Sequence, residues 1–172
     1  MNVVFETDRL LFRRFTNQDA SLLFRLNADP EVTRYTHDPM TSLEQAEKVL
    51  EMVILPQYVL YNYGRWAVYV KLGDEFIGWC GLKYRPERNE IDLGYRFMKK
   101  FWGKGYATES ALGSIEYGFE SLNLQTIIGR ALPGNLESIR VLEKCGMVYL
   151  GEEEIDGFLH RTYQITNPVI PV

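Results

Sequence analysis

Apolar and polar positions change rhythm several times along this chain, and each change marks an element. Residues 9 to 15, Arg-Leu-Leu-Phe-Arg-Arg-Phe, mix apolar and basic side chains as an opening strand does. Thr16-Asn17-Gln18-Asp19 then supplies a capping-box-like start, which predicts a helix from about Gln18 to Ala28. Asp29-Pro30 breaks it, because the residue before proline avoids helical backbone angles, and Pro30 can itself open a short helix through Tyr35. Ser42 with Gln45 three residues on is a second capping box, leading a helix with Ala46, Val49, Leu50, Val53 and Ile54 at helical spacing until Pro56 ends or kinks it. Beyond Gly64 the period becomes extended. Strands are expected at Arg65 to Lys71, Phe76 to Tyr84 and Glu90 to Met98, with turns at Gly73-Asp74 and Pro86 to Asn89.

The second half alternates: a helix from about Lys104 to Leu122, a strand from Thr126 to Leu132, a helix from Leu136 to Cys145 and a strand from Val148 to Ile155. Asp156-Gly157 signals a hairpin into a last strand, Leu159 to Ile165. This order predicts a single α/β (α+β) domain over residues 1–172, with one mixed central sheet and helices on both faces. The closing Pro-Val-Ile-Pro-Val reads as a frayed or loosely docked tail.

Composition narrows the function. At 172 residues and 46% apolar, the chain can bury one good core. A net charge of -4, with no run of lysine or arginine, argues against nonspecific nucleic-acid binding. Cys80 and Cys145 lie far apart, and the two histidines, His37 and His160, sit in separate segments, so neither a disulfide framework nor a metal site is expected. The start lacks a secretory pattern and no apolar run reaches membrane-spanning length, which leaves a cytoplasmic protein with no membrane partner as the expectation.

The richest chemistry lies in Phe101-Trp102-Gly103-Lys104-Gly105-Tyr106-Ala107-Thr108-Glu109, where small residues stand just ahead of a long helical pattern. The first N–H groups of a helix lack partners and carry partial positive charge, so such a loop can cradle phosphate, with Lys104 adding a point charge. Together with the opening Thr7-Asp8-Arg9-Leu10, the block Leu93-Gly94-Tyr95-Arg96-Phe97, and Asn135, Ser138, Val141, Leu142, Lys144, Cys145, Gly146 and Met147, it resembles the GNAT superfamily of acyl-CoA-dependent N-acetyltransferases. The subtype looks like the RimJ/RimL group, which acetylates ribosomal-protein N-termini. The resemblance covers nearly the whole chain. It implies a GNAT-like domain with a mostly antiparallel sheet of about six to seven strands. Residues 1–66 would hold the N-terminal strand and acceptor-side helices, 67–166 the acetyl-CoA-binding sheet and helices, and 167–172 the tail.

The resemblance also assigns roles. The signature for the coenzyme A pyrophosphate falls on Trp102, Gly105 and Ala107, so Gly103, Lys104, Gly105, Tyr106, Ala107 and Thr108 would hold the phosphates. The backbone at Tyr95, Arg96 and Phe97 would pair with the pantetheine arm as a strand, splayed from its neighbour by a bulge, and offer an oxyanion donor to the thioester. Leu93, Tyr95 and Phe97 read equally as a core face. Asn135 is either a helix cap or a pantetheine ligand. Ser138 is either a passive helix residue or the donor to the departing thiolate.

An ammonium has no lone pair, so the acceptor must lose a proton. Asp92 and Glu90, two apart on one strand, share a face and are candidate acceptors of it, or solvated edge charges; a proximity mechanism needs neither. His37 is a further candidate base or a structural loop residue. Tyr35, His37, Tyr58, Tyr61, Tyr63 and Trp66 stand where relatives build the acceptor wall, with one or two expected to line it. Glu152-Glu153-Glu154 is either an attractor for a cationic acceptor or a solvated strand edge. Cys145, with no histidine nearby, reads as a buried thiol rather than a nucleophile. The expected activity is acetyl transfer from acetyl-CoA to a primary amine, either a protein N-terminus or a small molecule, in a ternary complex without a metal. A noncatalytic acyl-CoA-binding module is the alternative, and relatives often form homodimers.

Overall fold

A computed structural model describes residues 2–169; the last three residues of the expected tail, 170–172, lie outside the described residues. The chain opens with β1 (Val3–Glu6) and β2 (Leu10–Arg14), followed by α1 (Ala20–Asn27), α2 (Leu43–Val49) and α3 (Leu55–Tyr61). A meander of β3 (Arg65–Val70), β4 (Glu75–Arg85) and β5 (Glu90–Phe97) leads to α4 (Tyr106–Glu120), β6 (Thr126–Ala131), α5 (Leu136–Lys144), β7 (Val148–Ile155) and β8 (Phe158–Thr166). These strands make one eight-stranded sheet in the order β1-β2-β3-β4-β5-β6-β8-β7. Its pairs are antiparallel except β5 with β6. The sheet is mixed and mostly antiparallel as expected, but has more than six to seven strands. The extra one is β1, a four-residue edge too short to show a period, held by Phe5 stacked between Phe12 at 4.1 Å and Tyr117 at 5.0 Å.

Local chemistry sets several boundaries. The box at Thr16 forms: its N–H donates to Asp19 Oδ2 at 2.7 Å, and its hydroxyl oxygen accepts from the Gln18 N–H at 3.3 Å. A 3-10 turn, Asn17–Asp19, precedes α1. The short helix expected from Pro30 to Tyr35 does not form. Asp29 takes the Glu31 N–H on its side chain and the Thr33 N–H on its carbonyl, as at a helix start, but the next backbone bonds return to Thr33, from Thr36 and His37, so the chain makes separate turns rather than a continuous helix. Pro56 kinks its helix rather than ending it, because a π-helical turn at Leu50–Ile54 absorbs the proline and the helix continues to Tyr61. Asp156 and Gly157, with φ of 52° and 82°, make the expected hairpin turn between β7 and β8.

The core holds Leu10, Phe12, Trp66, Val68 and Leu82, all fully buried. Helices cover both faces. On one, Ser114 of α4 lies 3.4 Å from Cys80 of β4; on the other, Arg96 of β5 donates to Asn27 of α1. What positions the site is the middle of the sheet. β4 and β5 pair without interruption from Gly78 with Phe97 to Arg85 with Glu90, whereas β5 and β6 pair only at Asp92 with Ile128 and Leu93 with Gly129. Beyond those two positions the parallel strands diverge and a wedge opens. The expected bulge is absent: β5 keeps its register with β4, and the opening arises where its pairing with β6 stops.

Candidate functional site

Backbone direction alternates along a strand, and the Met98 N–H bonds to Ile77 O on the β4 side at 2.9 Å. By that alternation Leu93, Tyr95 and Phe97 turn their N–H and C=O groups toward β6, and at Tyr95 the divergence of the strands leaves them facing the wedge. A cleft of about 840 Å³ runs through it, with Tyr95, Asn135 and Ser138 on one wall and Arg65, Lys83 and Asp92 on the other. The Tyr95 hydroxyl lies 2.9 Å from both the Ser138 carbonyl oxygen and Ser138 Oγ. Burial pushes the Tyr95 hydroxyl above its usual range, against the pull of Ser138, so it is a neutral donor. Asn135 does cap α5, its Oδ1 accepting from the Ser138 N–H at 3.2 Å, and it also lines the cleft, so the two roles offered for it coexist in space.

The phosphate cradle is a separate station at the start of α4. Gly103 and Gly105 have φ of 71° and 80°, a conformation that side chains resist, so glycine is required by the turn and not by crowding. The Glu109 N–H is the first to bond back, to Gly105 O at 3.0 Å. This leaves the N–H groups of Tyr106, Ala107 and Thr108 without intrahelical partners, and no side chain caps the helix. Trp102 ties cradle to wedge, its indole N–H donating to Phe97 O at 2.8 Å. The segment Thr7-Asp8-Arg9-Leu10 buttresses the helix start: Thr7 Oγ1 donates to Glu109 Oε1 at 2.6 Å, and Arg9 reaches both Glu109 and the Lys104 carbonyl. Arg9, half-exposed beside the cradle, is a cation that sequence reading missed.

The opposite wall is a lattice of ion pairs. Asp92 and Glu90 share a face as expected, and both are engaged by arginine. Asp92 Oδ2 lies 2.6 Å from Arg65 and 3.5 Å from Arg85; Glu90 lies 2.7 Å from Arg130 and 3.1 Å from Arg88. Asp92 lines the cleft and Glu90 stands behind it. Arg65, Gly81 and Gly94 stand in register across three strands, and Arg65 reaches Asp92 over Gly94, where a Cβ would fall 2.6 Å from the guanidinium; Gly81 instead makes room for the Gly64 carbonyl and the Trp66 ring. Arg96 is expected to act through its backbone, but by the same alternation that backbone faces Trp79 of β4; it is the side chain that is engaged, Nη2 donating to both carboxylate oxygens of Asp38 at 2.9 and 3.0 Å and pinning the loop that follows α1.

Of the aromatic set only Tyr35 and His37 line the cleft; Tyr58 and Trp66 belong to the core. His37 holds a left-handed φ of 56° and stacks on Phe158 at 4.5 Å, joining that loop to the β7–β8 hairpin. The acidic run is neither free nor simply solvated at its middle. Glu153 accepts from Thr162 and Arg130, each at 2.8 Å, and from Arg88. Against the desolvation that would raise it, these partners hold its carboxyl down at about 2. Both cysteines are free and buried, and burial pushes the thiols up, to about 12 for Cys80 and about 11 for Cys145, which removes them as nucleophiles.

Residues 9–148 match the family model described as an acetyltransferase (GNAT) domain. An uncharacterized N-acetyltransferase, p20, of Bacillus licheniformis is 37% identical over 138 residues, covering 79% of this chain and 77% of the relative. A ribosomal-protein-S5-alanine acetyltransferase from Vibrio fischeri shares the fold with a TM-score of 0.74 at 22% identity, covering 96% of this chain and 97% of its own. So does a spermidine N-acetyltransferase from Vibrio cholerae in complex with CoA and spermine, with a TM-score of 0.76 at 20% identity, covering 94% and 97%. Among the described residues no helix is long and apolar enough to cross a membrane.

The low value at Glu153 fixes the sign of a pH effect. A carboxyl whose folded value lies below its ordinary 4.5 stabilises the fold fully above that value and loses the contribution as pH falls toward about 2. Glu153→Gln is therefore expected to unfold at lower urea than wild type at pH 7, with the gap shrinking by more than half by about pH 3. Urea titrations at the two pH values check it, and a gap of equal size at both would refute the assignment.

Proposed function

The chain belongs to the GNAT family of acetyl-CoA-dependent acetyltransferases, and from that premise we propose that it acetylates a primary amine by direct attack on the thioester in a ternary complex. The observation that carries this reading is the wedge between β5 and β6, with free backbone along one side and the Tyr95–Ser138 pair beside it. In this reading the pyrophosphate of acetyl-CoA sits on the N–H groups from Gly103 to Thr108, and Gly105 and Ala107 let it approach. Lys104 and Arg9 add charge around a site made mainly of backbone. The pantetheine arm lies in the wedge as a strand against the N–H and C=O of Tyr95 and the N–H of Phe97, with Asn135 as its partner from α5, while the backbone of Arg96 between them stays paired with Trp79.

The amine nitrogen attacks the carbonyl carbon, the carbonyl oxygen gains charge, and the backbone N–H of Tyr95 is placed to receive it. As the C–S bond breaks, the sulfur leaves as a thiolate. The Tyr95 hydrogen goes to the Ser138 carbonyl oxygen, so the Ser138 hydroxyl rests as a donor to the Tyr95 oxygen and can turn its hydrogen to that sulfur instead. Of the two carboxylates, Asp92 and Glu90, we read neither as the base, because each is ion-paired to two arginines, through Oδ2 of Asp92 and Oε2 of Glu90. They hold the guanidiniums in place as positioning residues. The basic wall disfavours an ammonium, so the amine enters as the free base and its proton passes to water.

Two substitutions test these roles. Ser138→Ala is expected to lower kcat by about 10²-fold while leaving acetyl-CoA affinity nearly intact, as thiol-release kinetics and calorimetry would record; an unchanged kcat would remove the serine from the reaction. Asp92→Asn is expected to weaken amine binding yet keep the shape of the pH profile of kcat/KM. Disappearance of its acidic limb would restore Asp92 as the base.

A further inference from the structure

The acceptor wall is basic on a protein that is acidic overall. Arg65, Lys83, Arg85, Arg88 and Arg130 stand among four carboxylates, Asp92, Glu90, Glu153 and the exposed Glu87 at 3.8 Å from Arg85, which leaves an excess of one positive charge against a chain net of -4. The cleft's remaining acids do not offset this at the wall. Asp38 is bound to Arg96, and Asp156 sits at the tip of the β7–β8 hairpin. Of the acidic run that could have drawn a cation, Glu153 is paired with Arg88 and Arg130 and Glu152 with Arg161, while the exposed Glu154 does not line the cleft.

Three observations show that this positive charge is not fully answered within the protein. Lys83 lines the cleft from the middle of the wall and has no ion pair or hydrogen bond among the described residues. Burial, and then repulsion by Arg65 and Arg85, push its ammonium below the usual lysine range. The Arg130 side chain is more than nine-tenths buried, yet its Nη1 has no partner, and neither does the buried Nε of Arg85. Buried donors without acceptors are costly, and native proteins rarely leave them unless something else supplies the acceptor.

We propose that the acceptor is a small primary amine that also carries an anionic group, a carboxylate or a phosphate-type oxyanion, held by Lys83 and the arginines of this wall while its amine reaches the thioester. The inference rests on the acetyl-transfer reading and names its substrate class. The same potential that binds the anion disfavours protonation of the amine beside it, so binding and activation have one electrostatic source. It also rejects polyamines, whose second charge would meet uncompensated arginine.

The test is a thiol-release assay with acetyl-CoA and amines of matched length: γ-aminobutyrate, 3-aminopropylphosphonate, butylamine, which has no second charged group, and 1,4-diaminobutane, whose second group is cationic. Calorimetry of the same amines on the CoA-bound protein runs beside it. The expected kcat/KM for an anionic amine exceeds that for butylamine by about 10-fold or more, with the diamine weakest; the carboxylate and phosphonate arms identify the anion. Lys83→Met should cut the preference by about 10-fold, and Arg85→Gln gives an independent reading should the first variant fold poorly. Preference for butylamine or the diamine, or a preference that neither variant changes, overturns the proposal. If no amine releases thiol, the transfer reading fails on its own. Binding then still decides the anion site: tighter anionic binding supports it and equal binding refutes it.

Discussion

Strands β5 and β6 are paired at two positions, Asp92 with Ile128 and Leu93 with Gly129, and the rest of the site depends on how the backbone beyond them is satisfied. In the middle of an eight-stranded sheet, unpaired N–H and C=O groups are a cost that folding normally avoids. Here the cost is confined to a wedge, and the wedge is the cleft. A ligand with amide groups of its own can complete the interrupted ladder there. The register of β5 with β4 stays unbroken on the other side, so the opening is rigid and takes no strain from the core.

Both walls of the wedge are consequences of strand alternation. Residues 93, 95 and 97 face α4 and α5, which brings the Tyr95 hydroxyl onto the first turn of α5 beside Ser138. Residues 90, 92, 94 and 96 face the N-terminal helices, where the side chains are charged. Gly94 makes that charge possible by leaving room for the Arg65 guanidinium, which bonds to the carbonyls of Gly81 and Asp92 at 2.6 and 2.8 Å. In the proposed reaction the carboxylates of this lattice orient arginines, with the wall of Tyr95 and Ser138 nearly neutral and the opposite wall basic.

Much of this was legible in the sequence where the cause is local. The helix start after Gly105, the caps at Thr16 and Asn135 and the turn at Asp156-Gly157 each depend on a few neighbouring residues whose chemistry allows little else. What escaped depends on distance. β1 exists because Phe5 finds Phe12 and Tyr117, and the residues after Pro30 make separate turns because their backbone bonds return to Asp29 and then to Thr33 rather than running on residue by residue. Tyr95 was read through its backbone because only the packing of α5 brings Ser138 to its hydroxyl. Gly94 was the one trace of the space that the Arg65 guanidinium fills, and only its pairing with Gly81, itself opposite Arg65, gives it meaning. The acidic run misled for the same reason, since its middle residue is answered by arginines from β6 and from the turn before β5.

The claim on which the rest hangs is that the open backbone of β5 receives the arm of the acyl donor. Amide hydrogen exchange resolved at Tyr95 and Phe97, measured with and without coenzyme A, tests it most directly. The account predicts slowed exchange at these two amides together with those from Tyr106 to Thr108. Protection confined to the start of α4, with Tyr95 and Phe97 exchanging as in the free protein, would contradict it.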